Sequence, residues 1–520
     1  MKKTKLYDYQ REMPDNIIQV LSGESLTSTY YSKKRKNNLG HSVMVQMPTG
    51  TGKTYVMASV VKWFLDYHDQ GEVWIVAHRR ELVEQMQQTL DRFCLVYGEK
   101  EMVLKAKVRI RVLSIQWLTR HIDELETAGC TPGLIIVDEA HHAIADSYQD
   151  VFVRHQAAMK LGMTATPCRL AKKSFTGLFE RLLVSPCTND FIMRGYLSPY
   201  DYVVVGKSST DQLVVDQLKG RGSDGDYAIK EMDEKLNIPQ TIQRLFDSVK
   251  KYAHGKKGIV YAIDILHAQA IAACYNALGL KSVALDSKTP AKKRQEMVEA
   301  FRRSEIDCLV NVNLFDEGFD CPDVEFIQMA RPTLSLAKYL QMVGRGLRIN
   351  KENKDKVCMI IDNVGNYRKF GLPDKPRNWE IMFVGMRAGK GIIPTYVKKM
   401  HNVIAVNDEM VTVKKANTAR KKMTVKQLKA YLKSVVPFEK GGRWGLRVKD
   451  DIIVKPIYTS ISDFKGDYAV CCIGIQRFLY GVLDRRGNII IPPEYRSVFL
   501  WNEHEARVSR NYGDTKTIEL

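Results

Sequence analysis

Gln46-Met47-Pro48-Thr49-Gly50-Thr51-Gly52-Lys53-Thr54 is a run whose residue types suit the holding of a polyphosphate. Gly50 and Gly52 let the backbone curl so that successive N–H groups face an anion. Lys53 adds a point charge for the β- and γ-phosphates, and Thr54 offers a hydroxyl to Mg²⁺. The spacing is G-x-x-x-x-G-K-[ST], with Met47 standing at the first glycine position. A second set answers it. The apolar run Leu134 to Val137 ends in Asp138-Glu139-Ala140-His141. Asp138 can join a Mg²⁺ shell while Glu139 polarises a water for attack on a γ-phosphate, because phosphoryl transfer is mostly positioning and neutralisation of charge. Further on, Tyr339 to Leu347 has the spacing of a helix that presents Gln341, Arg345 and Arg348 on one face. If that face meets the nucleotide, the two arginines neutralise charge on the γ-phosphate.

These groups need elements to carry them. Val43 to Val45 reads as a strand before the loop and Tyr55 to Leu65 as a helix after it. Buried apolar runs alternating with helical stretches predict an α/β fold with parallel sheets, whose ligands gather at the C-terminal strand edge. Val73 to Ala77 delivers His78-Arg79-Arg80 into a helix, and Arg111 to Gln116 is a further strand and turn. After a linker around Arg194 to Pro199, a second unit begins. There Gly258 to Ala262, Ser282 to Asp286, Cys308 to Val312 and Val324 to Met329 predict a second parallel sheet. Gly220 to Asp226 reads as a turn or flexible insertion. Gly318 leaves room for close approach of backbone to ligand.

Met47 to Thr54, Asp138 to His141, Met163-Thr164-Ala165-Thr166-Pro167, Glu317-Gly318-Phe319-Asp320 and Gln341 to Arg348 occur in that order. Together they resemble motifs I, II, III, V and VI of superfamily 2 helicases of the DExH type. The likeness runs to RadD-type repair helicases, type I restriction motor subunits and phage branch-migration helicases. It implies two RecA-like lobes, ATP and Mg²⁺ as cofactors, Asp320 near the ribose, and His141, Thr164, Thr166 and Gln341 as coupling residues; His78 to Leu82 resembles motif Ia, which makes Arg80, and in the similar turn Ser114 and Gln116, candidates to hold the sugar-phosphate backbone of a nucleic-acid strand. Leu6 to Glu12 is similar to the adenine-recognising Q motif, and the Gln10 amide can pair with an adenine edge through one donor and one acceptor. Thr-Ala-Thr-Pro, where many RNA helicases have Ser-Ala-Thr, favours DNA. The likeness also implies a role in repair, recombination or replication, with RNA remodelling or a nucleotide-switched binding protein as the alternatives.

The 520 residues carry a formal charge of +20, with a pI near 9.3, which points to a polyanionic partner. From Arg377 to Lys433 there are 13 Lys or Arg against 3 Asp or Glu, a surplus of 10. Lys414, Lys415, Lys421 and Lys422 are candidate phosphate contacts there, the plain alternative being a solvated basic linker. No run approaches 18 apolar residues and the N-terminus is polar, so membrane spanning and export are not expected and a cytoplasmic protein is. The ten cysteines form no C-x-x-C pair, so neither disulfides nor zinc are expected, and Cys471-Cys472 reads as buried strand.

The C-terminal part repeats itself. Arg443-Trp444-Gly445-Leu446 returns as Leu479-Tyr480-Gly481-Val482, and Lys455 to Tyr458 as Pro492 to Tyr495, which argues for stacked β units. The pattern resembles a two-unit WG-repeat module whose aromatics either fill a core or stack on bases, and which can serve a protein partner. The expected partition is lobe one at 1–195, lobe two at 196–376, a basic helical linker at 377–436 and a β-rich module at 437–520.

Overall fold

A computed structural model describes residues 6–23, 30–31, 41–78, 83, 86–87, 109–168, 174–206, 209–286, 289–312, 323–350, 352–353, 355–375, 377–385, 410–414, 424–449, 451–473, 478–487, 489–509 and 515–520. The first lobe holds seven strands: β1 (Tyr30–Tyr31), β2 (Ser42–Gln46), β3 (Glu72–Ala77), β4 (Ile110–Ser114), β5 (Pro132–Asp138), β6 (Met159–Thr164) and β7 (Arg181–Val184). They lie in the order β1-β7-β2-β6-β5-β3-β4. β2 to β7 run parallel, and β1 pairs antiparallel with β7 at the edge. Val43 to Val45 and Leu134 to Val137 have no exposure, as strands covered by helices on both faces require. Since parallel strands end on one edge, the loop after β2 lies beside the ends of β6 and then β5, with β3 and β4 beyond.

The second lobe repeats the plan with β8 (Tyr200–Val205), β9 (Gly258–Tyr261), β10 (Ser282–Leu285), β11 (Cys308–Asn311), β12 (Phe326–Met329), β13 (Cys358–Asp362) and β14 (Met410–Lys414), ordered β10-β11-β9-β12-β13-β8-β14. Only β14 is antiparallel in this sheet. One apolar cluster runs through both lobes, from Tyr9 and Met47 through Leu197 to Tyr339 and Met342. The fold is thus two RecA-like lobes.

Two expectations need correction. The stretch 377–436 is more than a linker: Trp379–Phe383 is a short helix on the first lobe, where the Phe383 carbonyl accepts from Phe175 N at 2.9 Å and the two rings stack at 6.2 Å. Met410–Lys414 then closes the open edge of β8. The β-branched residues Val411, Thr412 and Val413 favour strand, and the surrounding charge masks them in the sequence. The second is narrowed rather than overturned: of the turn and the flexible insertion offered for Gly220 to Asp226, the chain forms the turn. Asp226 is buried and accepts from Leu334 N at 2.6 Å, Thr333 Oγ1 at 2.7 Å and Lys338 Nζ at 3.1 Å. Burial pushes its carboxyl up, but these donors outweigh it and hold it below its ordinary range. Thr333 and Leu334 lead directly into the N-cap, Ser335, and Lys338 lies in the first turn, so this turn fixes the start of the helix Leu336–Gly346.

The C-terminal module is antiparallel throughout: β15 (Val436–Glu439), β16 (Trp444–Val448) and β17 (Asp451–Tyr458); β18 (Ser460–Ile461), β19 (Tyr468–Ile473), β20 (Leu479–Asp484) and β21 (Ile489–Tyr495); and β22 (Ser497–Leu500), β23 (Glu505–Ser509) and β24 (Thr515–Glu519). Its repeat is visible in the register. Trp444 faces Tyr458 and Leu446 faces Val454 across β16 and β17, while Tyr480 faces Tyr495 and Val482 faces Ile491 across β20 and β21. Trp444 packs against the module's own core, and Cys471 and Cys472 are buried on β19. No helix among the described residues is long and apolar enough to cross a membrane.

Candidate active site

Lys53 and Thr54 open the helix Lys53–Tyr67, whose N-cap, Gly52, has a left-handed backbone (φ +79°) and supplies no side-chain cap. Gly50 is also left-handed (φ +85°), a conformation that glycine adopts without a Cβ penalty. The first-turn N–H groups therefore remain available to an anion. Thr51 Oγ1 braces the loop through the Pro48 carbonyl at 2.7 Å. Met47 is buried in the core, and its N–H continues the β2 ladder to the Thr164 carbonyl at 2.9 Å, so no glycine is required there.

Gln10, expected at the adenine, also serves the loop. Its Oε1 accepts from Tyr7 N at 3.0 Å and its Nε2 donates to the Thr51 carbonyl at 3.3 Å, beside the bond from Tyr9 Oη to the same carbonyl at 2.8 Å. A primary amide keeps one further donor and one further acceptor position. The segment expected as a linker pins the first helix, Asp8–Leu21: Arg194 pairs with Asp8 and Tyr196 Oη donates to Asp8 at 3.0 Å, while Phe191, just before that segment, lies edge-on to Tyr9 at 4.8 Å. Its partners are distant in sequence, which hides the packing.

At the end of β5, Glu139 has a positive φ of 46°, a strained conformation for a non-glycine residue and one that clusters at functional sites. Its Oε2 lies 3.3 Å from His141 Nδ1. That nitrogen is 3.1 Å from Thr164 Oγ1, which in turn accepts from Thr166 N at 3.1 Å. Burial pushes the Glu139 carboxyl up, but Lys53, His141 and His142 outweigh it and hold it at about 2. Glu139 is therefore ionised at neutral pH, the state a proton acceptor needs. Sequence reasoning missed two neighbours. His142 lies tilted against His141 with centroids 4.2 Å apart and stacks on His78 at 4.2 Å and 7°, and the His78 carbonyl accepts from Gln116 Nε2 at 3.0 Å. A histidine directly after β3 and a doubled histidine after β5 were the available signals. Ser114 caps the helix Ile115–Thr127 by accepting from Trp117 N at 3.2 Å.

The second lobe brings its helix to the loop. A Cβ added at Gly344 would lie 2.5 Å from Thr49 Cβ, and one at Gly50 would lie 3.1 Å from Arg348 Cγ. Gln341 and Arg345 are buried on the same helix, while the Arg348 carbonyl accepts from Ser198 Oγ at 2.9 Å and Lys356 Nζ at 2.7 Å. Thr49 Oγ1, Thr166 Oγ1 and Gln341 Nε2 are buried with no hydrogen-bond partner among the described residues, as expected of a cleft shaped for a polar ligand. For Mg²⁺, the donor set is one carboxylate, Asp138, and the Thr54 hydroxyl. Among the described residues no group of three or more His, Cys, Asp or Glu could hold a metal. One carboxylate and one hydroxyl are a set that suits Mg²⁺, which binds through one or two carboxylates with substrate phosphates and water. Arg80, Gly318, Asp320, Lys415, Lys421, Lys422 and the Lys414 side chain lie outside the described residues.

A phosphate-binding loop, an ionised carboxylate beside it and an arginine helix delivered by a second RecA-like lobe define a two-lobe nucleoside-triphosphate motor. Family models agree along the chain: "Type III restriction enzyme, res subunit" matches 3–169, "Helicase conserved C-terminal domain" 239–350, and "WG containing repeat" 449–474 and 480–509. A "51.5 kDa protein" of a Lactococcus phage is 32% identical over 354 residues, covering 67% of this chain and 71% of its own length. The "DNA 3'-5' translocase XPB2" of Sulfurisphaera tokodaii is 25% identical over 362 residues, covering 62% and 77%. Among solved structures, the "ATP-dependent Type ISP restriction-modification enzyme LlaBIII bound to DNA" shares the fold, with a TM-score of 0.52 and 16% identity over 74% of this chain, although the chain spans only 29% of that protein. The chain belongs to the superfamily 2 helicases, and its C-terminal part is a WG-repeat module. It is an ATP-dependent helicase that works on nucleic acid.

Proposed function

We propose that this helicase is a DNA translocase in which lobe one (1–195) and lobe two (196–376) close on ATP and reopen after hydrolysis, followed by the basic stretch 377–436 and the module 437–520. The contact of the Gly344 face of the second lobe with Thr49 of the phosphate loop carries the proposal, because it brings arginines and nucleotide site together. Lys53 and the helix N-terminus hold the phosphates, and Gln10 braces the loop on the base side, where its remaining donor and acceptor can meet adenine. Thr54 and Asp138 would hold Mg²⁺, which when bound neutralises charge across the β- and γ-oxygens. Glu139 takes the proton of the attacking water. Arg345 and Arg348 neutralise γ-phosphate charge, an effect worth about 10³- to 10⁵-fold in rate in related motors. Gly318 and Asp320 approach the ribose. His141, Thr164, Thr166 and Gln341 carry the nucleotide state towards the strand edge where Arg80 holds nucleic-acid backbone, with Ser114 and Gln116 fixing the turn beside it.

DNA is favoured by the Thr164-Ala165-Thr166-Pro167 motif and by a relative named as a DNA translocase. Backbone contacts of this kind position without reading sequence, so little base preference is expected. The test is ATP hydrolysis by purified protein without polymer and then with single-stranded DNA, duplex, forked or four-way DNA, and RNA. Stimulation by a DNA form supports the proposal and separates unwinding from duplex translocation. Stimulation by RNA alone overturns the DNA reading, and turnover indifferent to every polymer points to a protein partner of the module.

A further inference from the structure

We infer that residues 371–375 and 377–385 are a strap that ties the second lobe back to the first. With the chain at Arg194 to Pro199 it makes the lobe junction a two-strand hinge, in which Arg377 and Phe383 are positioning residues. This rests on the closing and reopening of lobes proposed above. Three observations carry it. First, the strap is anchored at both ends. On the second lobe, Tyr339 Oη donates to the Gly371 carbonyl at 2.8 Å, Tyr200 Oη donates to Asp374 at 2.5 Å, and Arg377 donates to the Phe370 and Leu372 carbonyls at 3.1 and 3.3 Å. Tyr339 stands on the helix that carries Gln341 and Arg345. On the first lobe, Phe383 is 2% exposed in a cluster with Phe175, Phe179 and Leu182, against which Trp379 also packs. Buried aromatic rings dominate packing energetics, so this end holds.

Second, both crossings are short. Arg377 is held by the second lobe and Trp379 by the first, two residues further on. The other crossing has the same span: Tyr196 Oη donates to Asp8 of the first lobe at 3.0 Å, and Ser198 N donates to the Leu347 carbonyl of the second at 2.7 Å. Two residues of chain reach at most about 7 Å. The lobes cannot part further than this at either crossing without breaking an anchor, but they can rotate, as hinges do at a few element-terminal residues.

Third, the crossings lie side by side. Arg194 of one and Arg377, Asn378 and Trp379 of the other border one cavity of about 490 Å³, whose wall also holds Thr49 and Gly344. Arg377 lies near Cys168, directly after Thr164-Ala165-Thr166-Pro167: burial pushes that thiol up, and the guanidinium opposes the push. The root of the first crossing is braced from the module, where Arg486 Nε donates to Asp190, 1% exposed, at 2.9 Å, and the Asp190 carbonyl accepts from Arg194 N at 3.0 Å. Two short adjacent ties leave rotation about them as the free motion, which returns Gly344 to Thr49 in one orientation each time the lobes close.

The experiment inserts Gly-Ser-Gly-Ser between Arg377 and Asn378 of the full chain, which adds about 13 Å of reach and removes no anchor. Arg377→Met, which keeps an apolar stem and loses the donors, is the second variant. Each is compared with native protein in DNA-stimulated ATP hydrolysis, in thermal unfolding, and in the nucleotide-free radius of gyration from small-angle X-ray scattering. The insertion is expected to lower stimulated kcat at least about fivefold. KM for ATP should change little, because Lys53 and Thr54 stay in the first lobe. The radius of gyration should rise while the melting temperature stays native. Arg377→Met should lower kcat in the same direction, and it carries the test alone if the insertion melts early. A strap that is only packing would leave kcat and radius native when residues are added, and either result overturns the inference. Native protein that no DNA stimulates overturns the DNA reading instead, and the scattering comparison still decides the strap.

Discussion

Gly344→Ala places one methyl between the lobes. The added Cβ would lie 2.5 Å from Thr49 Cβ and 2.9 Å from Thr49 Cγ2, where carbon atoms normally settle about 3.5 to 4.0 Å apart. One of the two elements must give by about 1 Å, and neither contact atom is the far end of a flexible side chain. Overpacking of this kind costs about 1 to 3 kcal/mol. Because the clash exists only when the lobes touch, that cost falls on closure, reducing its equilibrium constant about 5- to 150-fold. The fold of lobe two gains instead, since alanine in a helix interior is favoured over glycine by about 1 kcal/mol. The variant should therefore melt no lower than native protein while nucleic-acid-stimulated hydrolysis falls by one to two orders of magnitude. Thermal unfolding and steady-state hydrolysis on the same sample test both halves. Native turnover by Gly344→Ala would refute the reasoning, because hydrolysis would then not need the observed contact of the second lobe with Thr49.

Lys53→Ala and Glu139→Gln should both abolish steady-state hydrolysis, with Glu139→Gln still binding ATP in a nucleotide-binding assay; measurable turnover in either removes that residue from its assigned role. Glu72→Gln should destabilise the first lobe by about 3 to 5 kcal/mol in denaturant melts, since Arg111, 1% exposed, depends on Glu72 through bonds of 2.6 and 2.9 Å. A loss below about 1 kcal/mol would show that the pair is relaxed by water. Neutralising Lys414, Lys415, Lys421 and Lys422 together should weaken duplex binding and flatten its log–log salt dependence by about 0.9 per lost phosphate contact, and an unchanged slope returns the stretch to a solvated linker. Glu139 is held at about 2, below its ordinary 4.5. Its ionised form is the one folding favours, so its contribution is complete above 4.5 and is lost only as pH falls towards 2. The pH profile of kcat/KM, which reports the free enzyme, should accordingly show no acid limb near 4.5, and such a limb contradicts the assignment.

The motif residues were legible because the chemistry confines them to short spans. Lys53 and Thr54 must follow a curled loop, and Asp138 and Glu139 must end a strand, so residue type and spacing carry the whole signal. One part of the Gln10 role lay beyond the pattern: its amide also braces the loop, because its partner Thr51 is brought to it only by the packing of the first helix on the loop. Asp226 and Arg486 were invisible for the same physical reason in stronger form. Each sits in a glycine-containing polar turn of the kind that is usually solvated, and each is given its task by a partner 107 or 296 residues away. The strand Met410–Lys414 was hidden by charge, since a count of lysines reports on a polyanion and says nothing about which edge of a sheet is open.

Strand order turns these local assignments into one device. Because β6 lies between β2 and β5, and β3 follows β5, the phosphate loop, Thr164, Glu139 and His78 stand in one row at the sheet edge. Each step along that row is a contact: Glu139 to His141 at 3.3 Å, His141 to Thr164 at 3.1 Å, and the rings of His141, tilted against His142, and of His142, stacked on His78, with 4.2 Å between neighbouring centroids. A chain of contacts transmits nothing unless some element has two arrangements that both sites bias. In the proposed cycle the lobe interface supplies that element, with Gly344 against Thr49 when the lobes are closed and apart from it after hydrolysis. A strand of nucleic acid held beyond His78 would then feel the nucleotide state through the same row of side chains that aligns Glu139. By reciprocity of linkage, binding of that strand must bias lobe closure in return, which is why stimulation of hydrolysis by polymer is the decisive property to measure.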